Sequence, residues 1–170
     1  KVFKETGVDT KGVRVGKDTT TNRLIYDRAG NKKLEYLNRA EDILCEDIPG
    51  EYLESRFFLV AAVNYEVPEV MLKKLYEKGK KLSMELSGFG GASSFIIGKT
   101  KEERIRILSR ITRYFEIVKG GKEDYECIFG RGFDIEKSAR MFLKWGTKVS
   151  IVTMGSAGSF ITTEDGSIRV

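Results

Sequence analysis

The stretch Lys144-Trp145-Gly146-Thr147-Lys148-Val149-Ser150-Ile151-Val152-Thr153-Met154-Gly155-Ser156-Ala157-Gly158 decides how the rest of the chain is read. Gly146 stops a helical pattern that Asp134 caps and that runs from Ile135 to Trp145. The segment from Lys148 to Met154 then reads as a β-strand. The turn after it has a Thr-x-Gly-x-x-Gly spacing. Gly155 and Gly158 let backbone approach a ligand closely, and the Thr153 hydroxyl can donate to phosphate or ribose oxygens. An ordinary glycine turn into a hairpin has the same spacing, so both readings stay open on these residues alone. The hairpin itself is expected from Ser159-Phe160-Ile161-Thr162 and Ser167 to Val170.

Working back towards the start, strands and helices alternate. Phe57 to Val63 is continuously apolar, the pattern of a strand buried on both faces. Pro68 is placed as a first helical residue, followed by Val70, Met71, Leu72 and Leu75 at helical spacing, with Gly79 as the cap. Lys81 to Leu86 is the next strand. Thr100-Lys101-Glu102-Glu103 is a capping box that opens a helix carrying Ile105, Leu108, Ile111 and Phe115 on one face. A short strand, Glu116 to Lys119, leads to a helix around Glu123 to Phe129. This alternation predicts an α/β fold with a mostly parallel sheet. The front of the chain differs: Thr19 to Tyr26 and Lys33 to Leu37 form a hairpin around Gly30, with Leu24, Tyr26, Leu34 and Tyr36 on an apolar face.

In such sheets ligands bind beyond the carboxyl ends of the strands. Two further segments therefore join Thr153 to Gly158 as candidates. Gly88 to Ser94 is rich in glycine and hydroxyls, the composition of a phosphate-contacting loop or of a flexible connection. It matches neither a P-loop nor a dinucleotide fingerprint. In Lys119-Gly120-Gly121-Lys122-Glu123-Asp124 a strand meets a helix start. There Asp124 either supports hydrated Mg²⁺ or, more commonly for this pattern, caps the helix.

Composition narrows the chemistry. The 170 residues suit about one domain on the prior of ~100–200 residues each. Hydrophobic residues make up 41%, enough for a core. The net charge of +5 comes from 30 Lys and Arg interleaved with 25 Asp and Glu, so no nucleic-acid partner is expected. Histidine is absent, which excludes His-dependent triads and His zinc sites within this chain. Cys45 and Cys127 are far apart, as suits inert thiols in a reducing cytoplasmic setting. No apolar run reaches the roughly 18 residues of a membrane span, and no membrane partner is expected. Both ends read as cuts: the chain starts at Lys1-Val2-Phe3 and stops in a strand.

Taken together, the ordered segments resemble the ribokinase-like, or phosphofructokinase-B-type, carbohydrate kinases. The stretch from Lys144 to Gly158 is similar to that family's strand and T-x-G-x-x-G nucleotide turn, and Gly7-Val8-Asp9-Thr10-Lys11-Gly12-Val13 resembles its G-V-D-T-x-x-V segment. The resemblance covers essentially the whole chain. It implies a three-layer α/β sandwich with a small β lid. Residues 1–40 would supply the lid and its connections, and residues 41–170 part of the nucleotide-binding core. It implies ATP and Mg²⁺ as cofactors, with Thr153, Gly155, Gly158, Lys119 and Gly121 at the nucleotide and Asp124 at the metal. Asn64 and Tyr26 would face the substrate, a sugar or in the alternative a nucleoside, and the lid could pair two copies into a homodimer. A non-catalytic ligand-binding relative is a third reading.

Departures accompany the match. The family's N-x-x-E falls on Gly121 to Asp124, without the Asn and with Asp for Glu. Its D-P-N-x-R segment becomes Glu85-Leu86-Ser87-Gly88-Phe89. The G-A-G-D motif, whose Asp is the family's catalytic base, is expected beyond Val170, so no catalytic residue is assigned here.

Overall fold

A computed structural model describes residues 5–29, 32–92 and 100–170. The expected turn residues Gly30 and Asn31 lie outside the described residues, as do Ser93, Ser94 and Lys1 to Phe3. Two antiparallel strands, β1 (Thr21–Tyr26) and β2 (Lys32–Asn38), form the front hairpin, with Leu24 opposite Leu34. A six-stranded sheet follows in the order β3 (Phe57–Val60), β4 (Lys81–Glu85), β5 (Phe115–Gly121), β6 (Val149–Thr153), β7 (Ser159–Thr163), β8 (Gly166–Arg169). The first four are mutually parallel, and β7 and β8 add on antiparallel.

Among the described residues four longer helices connect or flank these strands: α1 (Glu69–Glu77), α2 (Lys101–Ile111), α3 (Lys122–Phe129) and α4 (Ile135–Lys144). Every parallel crossover steps to the adjacent strand in the same direction. Right-handed connections therefore put all four helices on one face of the sheet. Burial follows this geometry. Leu82, Met84, Phe115, Val118 and Val152 point from the strands into a core with Leu72, Leu75, Leu108, Ile111, Tyr125, Ile128 and Phe142 from the helices. Each fully buried side chain of this kind stabilises the fold by about 1.5–3 kcal/mol relative to exposure.

Sheet and helices make two layers of the expected sandwich. The other sheet face carries partly buried Ile117, Val149, Ile151 and Ile161. This corrects the reading of Phe57 to Val63 as a strand buried on both faces. β3 ends at Val60 and lies at the sheet edge, with Phe57 66% and Leu59 71% exposed. A continuous apolar run encodes burial against whatever eventually covers it, and among the described residues only one face is covered.

Local signals set the element ends, with small differences. Pro68 is the N-cap of α1 rather than its first residue. The capping box of α2 forms in both directions, with Thr100 Oγ1 accepting from Glu103 N–H (3.2 Å) and Glu103 Oε2 from Thr100 N–H (2.8 Å). That helix stops at Ile111, so Phe115 is not its last apolar residue but the first of β5, buried in the same core. The hairpin has apolar residues on both faces, because Ile25 pairs with Lys33 on the side opposite Leu24.

Candidate functional site

β5 and β6 run side by side to their carboxyl ends, where Gly120 pairs with Val152 and Gly121 with Thr153. There β5 enters α3 and β6 enters a short 3₁₀ turn, Gly155–Ala157. Between these exits lies an open groove of about 450 Å³ lined by Gly121, Lys122, Glu123, Glu126, Thr153, Met154 and Gly155. The structure thus brings together three residues singled out in the sequence, Gly121, Thr153 and Gly155. The Thr153 hydroxyl donates to the Gly120 carbonyl (3.4 Å), which fixes it at the groove wall.

Gly158 stands apart. Its φ is +86°, and a Cβ there would sit 1.9 Å from the Val170 carbonyl oxygen. The residue closes the turn, since its carbonyl accepts from Met154 N–H (2.8 Å) and its N–H donates to Gly155 (3.1 Å). Lys119 also lies off the groove. It projects from the uncovered sheet face and pairs with Glu85 at 2.7 Å.

Asp124 sits in the first turn of α3, 4% exposed. Its Oδ2 accepts from Gly121 N–H (2.7 Å) and its Oδ1 from Ala92 N–H (2.8 Å). One carboxylate therefore caps its own helix and holds the glycine-rich segment. The glycines there make room for packing: a Cβ on Gly91 would lie 2.5 Å from Asp124 Oδ1, and one on Gly88 would lie 1.8 Å from the Ala62 carbonyl oxygen. Among the described residues no group of three or more His, Cys, Asp or Glu is arranged to hold a metal ion.

The second region lies beyond β3, beneath the hairpin. Asn64 is 7% exposed, and its side-chain Oδ1 has no hydrogen-bond partner among the described residues. Neighbouring Tyr65 takes a φ of +58°, unusual for a non-glycine residue. Burial pushes its hydroxyl pKa up to about 12, against the opposing pull of Arg104. Glu66 is buried, and its carboxylate accepts from Thr20 Oγ1 (2.5 Å), Val63 N–H (2.9 Å) and Asn64 N–H (2.7 Å). Burial alone would raise its pKa, but these hydrogen bonds outweigh burial and hold it below the usual value.

Arg39, just past β2, donates to the carbonyls of Asn64 (2.9 Å) and Tyr65 (2.8 Å) and to Asp42 (2.6 Å). Both roots of the hairpin thus grip the turn Asn64 to Glu66, Thr20 from one strand and Arg39 from the other. Sequence reading missed Glu66 and Arg39. A Glu before Val-Pro and an Arg after a strand look like ordinary surface charges, and only the fold buries the first and aims the second. Tyr26 is at the far end of β1 and 63% exposed, apart from Asn64 along the hairpin.

A further cavity of about 670 Å³ lies at the opposite end of the sheet, between α4 and the β7–β8 turn. Its Arg140 and Lys148 are already paired with Glu136 and Glu116, so it presents mixed charge rather than a focused site. No helix among the described residues is long and apolar enough to cross a membrane.

No family model matches the chain. It is similar to a cytidine kinase of Thermococcus kodakarensis, 29% identical over 125 residues, which covers 72% of this chain and 40% of the relative. Among solved structures it resembles aminoimidazole riboside kinase from Salmonella enterica, crystallised with aminoimidazole riboside and an ATP analogue. That TM-score is 0.68 at 17% identity, covering 99% of this chain and 56% of that one. A pyrophosphate-dependent kinase in the ribokinase family gives 0.67 at 18%, covering 91% and 54%. Ribokinase from Thermotoga maritima gives 0.57 at 17%, covering 88% and 46%. The chain therefore spans from 40% to about half of the proteins it matches. These likenesses establish the fold and bear out the resemblance read from the sequence.

Proposed function

We propose that this chain, which has the ribokinase-like fold, forms the phosphoryl-donor side of a kinase acting on a hydroxyl of a sugar or nucleoside. The observation that carries the reading is the groove at the carboxyl ends of β5 and β6, lined by Gly121, Thr153 and Gly155. A helix start and a hydroxyl meet there, and helix starts favour anionic ligands. ATP phosphates would lie against Thr153 and Gly155, while Gly158 keeps the turn in shape. Lys119 would reach the phosphates only by leaving Glu85. Mg²⁺ would arrive on the nucleotide, since it retains waters and leans on phosphate oxygens. Positioning and charge stabilisation are most of what such transfer requires.

On the acceptor side, Asn64 Oδ1, without a partner among the described residues, would take a hydrogen bond from the substrate, and the hairpin would close over it. The base is proposed to be the Asp of a G-A-G-D motif in chain following Val170. A nucleoside acceptor is favoured by the likeness to a cytidine kinase and by exposed Leu24 and Tyr26, which offer apolar surface to a base. The same surface would serve a homodimer formed through the hairpins.

Thermal-shift measurements test the donor side. MgATP, ADP and pyrophosphate are compared with a sugar and nucleoside panel. A donor that binds raises the melting point by mass action, and Thr153→Val lowers that gain. If no nucleotide or pyrophosphate moves the transition, the groove is not a donor site and the proposal fails.

A further inference from the structure

We infer that Asp124 is a positioning residue of the donor groove, holding the glycine-rich segment in register with the start of α3, and not a ligand of the metal that accompanies a nucleotide. This rests on reading the β5–β6 exit as a nucleotide groove, and it concerns how that groove is kept in shape.

Three observations carry it. First, the side chain is not part of the groove surface. Lys122, Glu123 and Glu126 of the same helix line the cavity, whereas Asp124 is buried behind Gly121. Second, each carboxylate oxygen already accepts a backbone N–H, from Gly121 at 2.7 Å and from Ala92 at 2.8 Å. Both contacts are part-buried, so losing the carboxylate weakens the hold on both amides at once. Third, the surroundings are built to its shape. A Cβ on Gly91 would lie 2.5 Å from Oδ1 and 2.8 Å from the Asp124 Cβ, and a Cβ on Gly120 would lie 3.3 Å from Oδ2.

The strut also reaches the acceptor region. The other end of the held segment, Gly88, accepts from Tyr65 N–H at 3.0 Å, and Phe89 packs edge-on against Tyr65 (centroids 5.9 Å). Asp124 thus ties the groove to the turn that the hairpin roots grip. Glu in its place would be one methylene too long for the gap between Gly91 and Gly120.

The test uses the whole chain as wild type, Asp124→Asn, Asp124→Ala and Asp124→Glu. Amide hydrogen exchange is followed residue by residue, and ADP affinity is measured with Mg²⁺ and with EDTA. Asparagine keeps the shape but presents an NH₂ to one of the two N–H donors. We expect exchange at Ala92 and Gly121 to rise by roughly tenfold or more in Asp124→Asn while Val118 and Val152 stay protected. ADP affinity should fall by a similar factor with and without Mg²⁺, leaving the ratio of the two unchanged, and Asp124→Glu should not restore it. Unaltered protection at Ala92 and Gly121 would overturn the inference. So would a loss of affinity confined to the Mg²⁺ arm, the signature of a lost metal ligand. If wild type binds no ADP, the donor-groove reading fails, yet exchange still decides whether Asp124 holds the two segments. If Asp124→Ala does not fold, Asp124→Asn carries the measurement.

Discussion

Replacing Gly91 with alanine puts the packing around the glycine-rich segment to a quantitative test. The added Cβ would meet Asp124 Oδ1 at 2.5 Å, Asp124 Cβ at 2.8 Å and Ser87 Cα at 2.8 Å. Two of these are side-chain atoms of a residue pinned by two hydrogen bonds and the third is backbone, so relief means moving the segment. Overpacking of this kind costs about 1–3 kcal/mol. Displacing Asp124 from Ala92 N–H gives up a charge-assisted hydrogen bond worth about 1.5–3 kcal/mol. The combined loss, roughly 2.5–6 kcal/mol, lowers Tm by roughly 8–18 °C at about 3 °C per kcal/mol for a chain of this size.

Two controls isolate the mechanism. Gly155→Ala meets no atom within 4 Å but imposes a φ of +58° on a side chain; that strain is worth about 1–2 kcal/mol, a fall of roughly 3–6 °C. Gly50→Ala meets no atom within 4 Å and has no such φ, so its Tm should hold or rise slightly. Differential scanning calorimetry ranks the three. If Gly91→Ala melts with Gly50→Ala, the close approach of Asp124 to the segment is wrong, and the strut with it.

Three further outcomes follow from single contacts. Glu66 has a depressed carboxyl pKa, so its stabilisation is in full force above the unfolded value of about 4.3 and is lost as pH falls through the folded value; exchange at Val63 and Asn64 should accelerate below about pH 4, and Glu66→Gln should flatten that dependence. The Tyr125 hydroxyl meets Ser150 Oγ at 2.8 Å in the core, so Tyr125→Phe leaves Ser150 unsatisfied at about 1–3 kcal/mol, which the Tyr125→Phe/Ser150→Ala double variant partly recovers in urea denaturation. Thr100→Ala removes the α2 cap and should lower stability by about 0.5–2 kcal/mol, read as a shift in urea midpoint without a change in slope.

Much of the fold was legible because its signals are local. The capping box at Thr100, the Asp134 cap and the Gly146 stop each depend on a few adjacent residues, and each forms as the spacing predicts. The mostly parallel sheet followed from alternation alone. What escaped depends on contacts far apart in the chain. Phe57 and Leu59 read as buried because composition cannot tell which face of a strand is covered. Phe115 continues a helical spacing, yet a 3₁₀ turn at Thr112–Tyr114 hands it to β5 with its side chain still in the core. At the site, Gly121, Thr153 and Gly155 were visible because strand ends are where ligands bind. The burial of Glu66 and the reach of Arg39 were invisible because each requires the hairpin to fold back onto β3.

The two candidate regions are physically continuous, and the connection runs through backbone. Thr20 and Arg39 hold the turn at Asn64 to Glu66; Tyr65 N–H holds Gly88; Ala92 N–H is held by Asp124; and Asp124 holds Gly121 at the groove. Charge-assisted bonds to carboxylate or guanidinium occupy most of these links, and they are directional and stronger than neutral ones. Tyr65 at φ +58° is the strained member, kept there by Arg39 and Gly88 on either side. A hairpin movement that releases Thr20 or Arg39 would free this residue to relax, and the relaxation would reach Gly88 before anything else. Under the proposed kinase function, which has to admit an acceptor and then exclude water, this geometry would let hairpin position and groove shape change together. It requires no contact between acceptor and donor ligands.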